Sequence, residues 1–449
     1  MVTTKRAARG LIVLAATALV VAACGDDGDD GAAAPTSGGG AATTAPGATG
    51  GSDATGNEAS DTGITEDTYK IGFVYSATGV AAPNFKDTLR AAEARVKLQN
   101  DQGGVFGRTI ELVGADDAST PQQNLSASQS LVQNQDVFMV INNSSFTFGG
   151  YRYLQEEGIP VVGGCYDGPE WFQQPNTNMV CNVGNSSENR AAYTNDALFM
   201  KSQGATKVAS LGYGSSPSSS KEAQNFHDFG APEVGLDPVY VNTSLPFGTV
   251  DVGSIVLDMK AAGVEGVQLP LIQTTNFAVV TGGVQAGIDW KAALMSTGYG
   301  QDLLDQPTAL AAAEQPGVFF STTSFAPVEL ETEATKRMAE AFSTYSGLDG
   351  VPLYAWYQGW LSADLVIKGL EAAGRNPTRE SFLDALHGLG TYDADGILAE
   401  PVDISLEGFG QAQERRCSWY MKVEDGRFVV ASPGTEPLCG DLVPASIEG

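Results

Sequence analysis

Hydroxyl side chains stand directly after two short apolar runs of this sequence, where they could hold a small polar molecule. Ser76 and Thr78 follow the first run, and Ser144 and Ser145 follow the second. If both runs are parallel strands, their carboxyl ends meet at one edge of a sheet. Hydroxyl and backbone N–H groups at that edge can bind a carboxylate or an amide. The alternative for Ser144 or Ser145 is that it caps the following helix.

The next apolar run ends in Gly164-Cys165-Tyr166, which would face the same edge of the sheet. We therefore expect Gly164 and Tyr166 to contact the bound molecule. The alternative is a turn tightened by a disulfide at Cys165, and the two interpretations are compatible.

The sequence contains few of the residues and motifs that catalysis usually requires. The two histidines, His227 and His387, leave little for a zinc site or a Ser/His/Asp triad, and we find no G-x-S-x-G, H-E-x-x-H or phosphate-loop motif. Adjacent acids such as Asp116 and Asp117 are usually solvated or capping groups. We predict a binding protein rather than an enzyme, with no catalytic residue, metal or cofactor.

The composition indicates a folded, acidic protein. The chain has 449 residues, 42% of them hydrophobic, and a formal net charge of -28. Its 25 Lys and Arg residues are scattered, so the basic patch expected of a nucleic-acid-binding protein is missing from the sequence. We expect a monomer whose partner is a small solute and not a nucleic acid.

The first residues predict export. A basic head precedes an apolar stretch, 11–21, that is too short to span a bilayer and runs into Ala22-Ala23-Cys24. This pattern resembles a bacterial lipoprotein signal, which implies that residues 1–23 are removed and that Cys24 is lipidated. The alternative is an ordinary signal peptide with a chance cysteine.

Residues 24–66 are predicted to be a lipidated cysteine followed by a disordered linker. From 25 to 63 the chain contains no Val, Ile, Leu, Met, Phe, Trp or Tyr, so this segment cannot bury a core. We expect it to tether the folded part, outside the cytoplasm, to the outer face of the cytoplasmic membrane.

The four remaining cysteines allow three pairings. The pairing that closes the shortest loops joins Cys165 to Cys181 and Cys417 to Cys439, and it suits an oxidising compartment. Buried free thiols are the alternative.

From residue 69 onward, short apolar runs alternate with helical patterns, which predicts an α/β protein with too many βα units for one sheet. We expect two similar, open, mostly parallel sheets flanked by helices, with a cleft between them. Trp356, Tyr357 and Trp360 lie at the spacing of a helix core. The chain should end in a strand pair at 417–423 and 427–430.

Several segments resemble the extracellular solute-binding proteins of the leucine/isoleucine/valine-binding type. The matching segments are Ile71-Gly72-Phe73-Val74, Ser76-Ala77-Thr78-Gly79, Asn100 to Arg108, Asp116-Asp117, Thr120-Pro121, Leu131-Val132, Asn143-Ser144-Ser145, Gly317-Val318-Phe319, Ala363-Asp364, Leu370 to Gly374 and Asp395-Gly396. Their order and spacing cover about 69–430, nearly the whole folded part.

The resemblance implies the type I periplasmic-binding fold, in which the chain crosses three times between two lobes. Lobe one would comprise 67–183 plus 322–392, and lobe two 184–321 plus 393–449. It also implies an ABC importer as the partner. A sensory module with the same fold is the rival, since both use a closing cleft.

On lobe two, family members that bind amino acids carry a Tyr-Gly in the loop matching 213–220 and an acid after the strand that ends near Leu269. Here the second position reads Gln273-Thr274-Thr275-Asn276, without an acid. Further candidate contacts complete the predicted site: Tyr213, Thr274, Thr275, Tyr299 and Phe325. Packing within the fold is the alternative for the three aromatic residues.

The missing acid bears on the ligand, because a buried ammonium group needs a charged partner. We predict a neutral or anionic solute, such as an amide or an organic acid. A branched-chain or other amino acid is the alternative, and Asp167 or Asp302 could supply its acid.

Overall fold

The computed structural model describes residues 56–183 and 191–447. The predicted signal peptide, Cys24 and residues 25–55 of the predicted linker lie outside the described residues. So do 184–190, which include most of the first predicted crossing between lobes. The last part of the predicted linker, 56–66, is described, and Ile64 is buried in the core.

Within these residues the chain alternates strands and helices, as the sequence pattern predicts. The strands are β1 (Thr68–Tyr75), β2 (Thr109–Asp116), β3 (Met139–Asn143), β4 (Val161–Gly163), β5 (Met179–Cys181), β6 (Lys207–Tyr213), β7 (Asp237–Leu245), β8 (Gly266–Leu269), β9 (Ala292–Met295), β10 (Val318–Ser321), β11 (Thr391–Tyr392), β12 (Val402–Asp403), β13 (Arg415–Ser418), β14 (Tyr420–Glu424), β15 (Arg427–Val430) and β16 (Leu438–Asp441).

The α-helices range from short connecting turns to a helix of 20 residues. They are α1 (Ala82–Phe85), α2 (Thr88–Asp101), α3 (Pro121–Asn134), α4 (Tyr151–Glu156), α5 (Asn195–Ser202), α6 (Pro217–Asn225), α7 (Ala231–Glu233), α8 (Gly253–Ala262), α9 (Gln273–Ala286), α10 (Gln301–Leu304), α11 (Pro307–Ala313), α12 (Glu333–Ser346), α13 (Tyr354–Ala373) and α14 (Arg379–Gly388).

The first lobe is built on a parallel sheet in the order β2-β1-β3-β4-β5. Side chains alternate across it, so Ile71 and Phe73 pack toward α2 and α13, whereas Val74 and Val140 pack toward α3 and α4. A parallel sheet with helices on both faces brings its strands' carboxyl ends to one edge.

The second lobe is built on a sheet in the order β15-β14-β10-β9-β8-β6-β7. Its five strands from β10 to β7 are parallel, and β14 and β15 add an antiparallel edge. The α5 helix covers one face, while α8 and α9 cover the other. The predicted class of two α/β lobes with mostly parallel sheets is confirmed.

The predicted strand 417–423 is wrong in one respect, because it is two strands in two different sheets. Trp419 separates β13, which pairs with β16, from β14, which joins the large sheet. The disulfide Cys417–Cys439 bridges β13 and β16, and a second disulfide joins Cys165 to Cys181, which is the pairing predicted from loop length.

The α13 helix is the central core helix of the first lobe. Trp356, Tyr357 and Trp360 are buried, as their spacing predicts. The helix also buries Asp364, whose carboxylate accepts a hydrogen bond from the Nε of Arg95 at 2.8 Å. An ion pair satisfied inside the core holds α13 against α2.

The exact division of the chain between the lobes remains a prediction. In the described part, Asp395 forms ion pairs with Arg337 of α12 and Lys368 of α13, and β12 pairs with β11. The segment just after residue 393 therefore contacts first-lobe helices before the chain continues to β13.

Neither described range, 56–183 or 191–447, contains a helix that is both long and apolar enough to span a bilayer.

Candidate functional site

A cavity of about 220 Å³ lies between the two lobes. Among the predicted contacts, it is lined by Ser145, Gly164, Tyr166, Tyr213 and Phe325. They come from loops at the carboxyl ends of β3, β4, β6 and β10, where open α/β sheets place ligands.

Aromatic rings form much of the cavity wall. On the first-lobe side, the ring of Tyr166 lies 4.9 Å from that of Phe85 and 5.9 Å from that of Tyr354. On the second lobe, the rings of Tyr213 and Phe247 are 4.6 Å apart. Such surfaces can pack against the apolar part of a solute from both sides.

Two hydroxyl groups in this wall have unsatisfied hydrogen-bonding capacity. The Tyr166 hydroxyl and the Thr323 Oγ1 are buried, and neither has a hydrogen-bond partner among the residues that the structure describes. Burial raises the pKa of Tyr166 well above its ordinary value, so its hydroxyl is protonated and can donate. A buried polar atom without a partner is costly.

The structure does not bring Ser76 and Ser144 to the cavity wall. Both side chains are fully buried, and both hydroxyls donate to the carboxylate of Asp117, at 2.8 Å for Ser76. Ser144 also accepts a hydrogen bond from the backbone N–H of Phe146, two residues further on, but the short helix Thr147–Gly149 has Phe146 as its N-cap and no side-chain cap, so Ser144 does not cap it. The expectation that Asp117 is solvated or capping is wrong, because its side chain is buried inside a polar network.

Thr78 also points elsewhere. It is exposed, and its hydroxyl donates to Asp116 at 2.6 Å. Asp116 accepts further hydrogen bonds from the backbone N–H groups of Ala77 and Ala118, and these bonds lower its pKa against the opposing effect of burial. The hydrogen bonds of Thr78 and Asp116 connect the loops that follow β1 and β2.

The remaining second-lobe candidates lie behind the wall rather than on it. Thr275 is buried and accepts a hydrogen bond from the Tyr213 hydroxyl at 2.6 Å, so it positions that ring. Thr274 is exposed on α9, which lies between β8 and β9. The hydroxyl of Tyr299 donates to Glu329 at 2.6 Å, and the ring borders a smaller adjoining void.

Asp167 was weighed in the sequence only as one acid that could reach the cleft, and the structure places it in the cavity wall. Its Oδ1 accepts hydrogen bonds across the cleft from the hydroxyls of Ser216 and Ser218, both at 2.7 Å, and from the backbone N–H of Ser218. Burial raises the pKa of Asp167 to about 6, and these hydrogen bonds oppose the rise. Its position just after Tyr166 was the signal that could have identified it.

Glu222 is a second acid in the wall that sequence reasoning missed, since it lies within α6, far from any strand end. Burial raises its pKa, and the charge of the neighbouring Arg416 opposes that rise. The guanidinium of Arg416 lies 4.5 Å from the ring centre of Tyr193. The two acids therefore differ in what stabilises their charge.

Two lobes with mostly parallel sheets, around a small cavity lined in part by aromatic rings, define a solute-binding protein of the two-lobed, cleft-binding class. The family model described as periplasmic binding protein matches residues 68–427, and the chain belongs to this family. It is therefore a solute-binding protein of the periplasmic-binding-protein family and not an enzyme.

Relatives and solved structures are similar to the chain over most of its length. The chain is 24% identical over 351 residues to a Leu/Ile/Val-binding protein homolog 3 of Brucella melitensis, covering 74% of this chain and 89% of that protein. It resembles the structure of a fatty acid ABC transporter substrate-binding protein from Thermomonospora curvata, with a TM-score of 0.69, 21% identity, and coverage of 84% and 94%.

A second solved structure, an R. palustris ABC-transporter solute-binding protein in complex with benzoate, gives a TM-score of 0.65 at 16% identity, with coverage of 84% and 97%. At these identities the two structures establish the shared fold alone.

Proposed function

We propose that this chain is the lipid-anchored solute receptor of an ABC importer, and that its interlobe cavity binds a small neutral or anionic solute such as an amide or an organic acid. The observation that carries the proposal is the cavity itself, which both lobes line with rings and hydroxyl groups. Its volume of about 220 Å³ lies below the ~300–1,000 Å³ typical of drug-sized sites, which favours a small solute.

The cavity wall suits such a solute in two ways. Rings such as Phe85 and Phe247 offer an apolar surface, and the hydroxyls of Tyr166 and Thr323 offer hydrogen bonds to a carbonyl or carboxylate oxygen. The helix start at 273–276 contributes no acid. The benzoate and fatty-acid ligands named for the two structural neighbours belong to the same broad chemistry.

An amino acid is the second candidate, and Asp167 is the observation that favours it. A carboxylate in the wall could pair with an ammonium group, which the helix start at 273–276 could not do. The name of the Brucella relative also points to leucine, isoleucine or valine.

A thermal-shift screen of the full chain in detergent tests the ligand class, using amino acids, amides, and aliphatic and aromatic acids. We expect an amide or an organic acid to raise the melting temperature, since a ligand that binds only the folded state stabilises it. Stabilisation by leucine, isoleucine or valine alone would replace the first candidate with the second.

The anchor is tested separately by Cys24→Ser. We expect the variant to leave the membrane fraction or to remain unprocessed, because its acyl attachment point is gone. The parent chain, fractionated in parallel, is the control. Variant protein that is processed normally and still sediments with membranes would contradict the lipoprotein assignment.

A further inference from the structure

The polar groups of the cavity wall divide by hydrogen-bonding role. Tyr166 and Thr323 present hydroxyls without a partner in the described chain, and such groups can donate to a solute oxygen. Asp167, one residue after Tyr166, presents a carboxylate that can only accept when it is ionised. The two roles lie side by side where the loop after β4 enters the cavity.

The hydrogen bonds of Asp167 fix its orientation. All three donors from the second lobe, the two serine hydroxyls and the N–H of Ser218, bind the same oxygen, Oδ1. Within 56–183 and 191–447, no hydrogen bond to the other oxygen, Oδ2, is formed, although the whole residue is only 5% exposed. The hydrogen bonds to Oδ1 therefore fix the position of the Asp167 carboxylate, and a solute that binds Oδ2 need not displace them.

The surroundings leave Oδ2 accessible to a donor. At Glu222, the charge of Arg416 opposes the rise in pKa that burial causes. At Asp167, in the described chain, that rise is opposed by the hydrogen bonds to Oδ1. Oδ2 is not among the buried side-chain atoms that lack a partner, so it belongs to the small accessible part of Asp167, where a donor on a solute can reach it. A solute carboxylate placed against it would instead meet like-charge repulsion.

We propose that Asp167 determines the specificity of the cavity by accepting, through Oδ2, a hydrogen bond from an N–H or O–H group of the solute. The inference rests on the proposed function and narrows it: the solute is a carboxamide or another donor-bearing molecule with an apolar body, and not a simple carboxylate. In a carboxamide, the C=O group pairs with the hydroxyls of Tyr166 or Thr323 and the N–H group with Asp167.

Matched probe pairs test the inference in the full, detergent-solubilised chain by isothermal titration calorimetry. The pairs are benzamide with benzoate, 4-methylpentanamide with 4-methylpentanoate, and leucine with 4-methylpentanoate. At about pH 8, where Asp167 is ionised, we expect the donor-bearing member of at least one pair to bind about tenfold tighter or more, since a site built to pair with a donor rejects the analogue lacking it.

The variant Asp167→Asn keeps the size of the side chain and replaces an acceptor-only group by one that also donates. We expect it to lower the affinity ratio within that pair by about tenfold, and the ratio is a readout that a change in stability alone would not move. Asp302→Asn is the matched control, because Asp302 lies outside the residues that line the cavity. It should leave the ratio unchanged.

The outcomes separate the inference from the proposed function. If the acids bind as tightly as their donor-bearing partners, or if Asp167→Asn leaves the ratio unchanged, the inference is overturned while solute binding stands. The inference would also be overturned if Asp302→Asn lowered the affinity ratio as much as Asp167→Asn does. A preference for leucine alone upholds the role of Asp167 and overturns the neutral or anionic ligand. If the chain binds no probe, both proposals for the ligand fall.

Discussion

Asp117 and Asp167 both follow strands of the first-lobe sheet, and both are nearly inaccessible, at 0% and 5% exposure. They differ in how their oxygens are used. Asp117 accepts from Ser76 and Ser119 on one oxygen and from Asn124 and Ser144 on the other.

Asp167 accepts on one oxygen only, and its donors come from the opposite lobe. A carboxylate saturated by its own lobe is a structural group, whereas one that keeps an unused oxygen in a cavity can bind a ligand. Burial alone therefore does not distinguish a structural acid from a functional one; the count of donors does.

The largest expected effect is on Asp117. Asp117→Asn puts an amide N–H₂ group where only donors point, so we expect the free energy of unfolding to fall by about 3 kcal/mol. Urea denaturation measures this free energy, and Asp116→Asn is the control at the neighbouring position. Because Asp116 is exposed, its substitution should cost about 1 kcal/mol or less. If both variants lost the same free energy of unfolding, the structural role assigned to Asp117 would be contradicted.

The loop that carries Asp167 also contains Glu170, which is 2% exposed and accepts a hydrogen bond from Thr147 at 2.7 Å. Burial raises the pKa of Glu170 to about 7 from 4.5. Below pH 4.5 both the folded and unfolded states are protonated there; between 4.5 and about 7 only the folded state holds the proton. Its contribution to stability is thus fully present below 4.5 and is lost as the pH rises through about 7.

We therefore expect Glu170→Gln to flatten the dependence of unfolding free energy on pH between 4.5 and about 7, by up to roughly 3 kcal/mol in total. Chemical denaturation at a series of pH values measures the slope. Asp305→Asn, an exposed change, is the control and should keep the parent slope. A parallel shift of the whole curve, without a change in slope, would contradict the raised pKa.

The smallest expected effect is on the stability of the ligand-free protein with Asp167→Asn. The new amide oxygen can still accept from Ser216 and Ser218, and the cost of burying a charge disappears, so the free energy of unfolding at about pH 8 should change by about 1 kcal/mol or less. Thermal and urea unfolding of the two proteins measure it. A loss near that of Asp117→Asn would mean that the two acids are not functionally different.

Much of the fold could be predicted because its signals are local. The apolar run 137–141 predicts a strand, and β3 covers Met139–Asn143, two residues further on. The Thr-Pro pair at 120–121 predicts a helix start, and α3 begins there, with the Thr120 side chain accepting from the backbone N–H of Gln123 at 3.2 Å. The two disulfides followed from loop length. Strand 417–423 could not be predicted correctly, because the break at Trp419 depends on which distant strand pairs with each half.

The candidate site also has features that the sequence predicted and features that only the fold could decide. The sequence by itself predicted that loops after β1, β3 and β4 would meet at one sheet edge, since strand direction and periodicity are written in short stretches of chain. The loops of the second lobe were matched through the resemblance to the family. Only the tertiary structure decided that Ser144 turns to Asp117 while Ser145 lines the cavity. It also decided that Asp167 receives its donors from α6. These outcomes depend on which side chains from distant segments share one buried space, and hydrogen-bond satisfaction in that space is a property of the assembled fold.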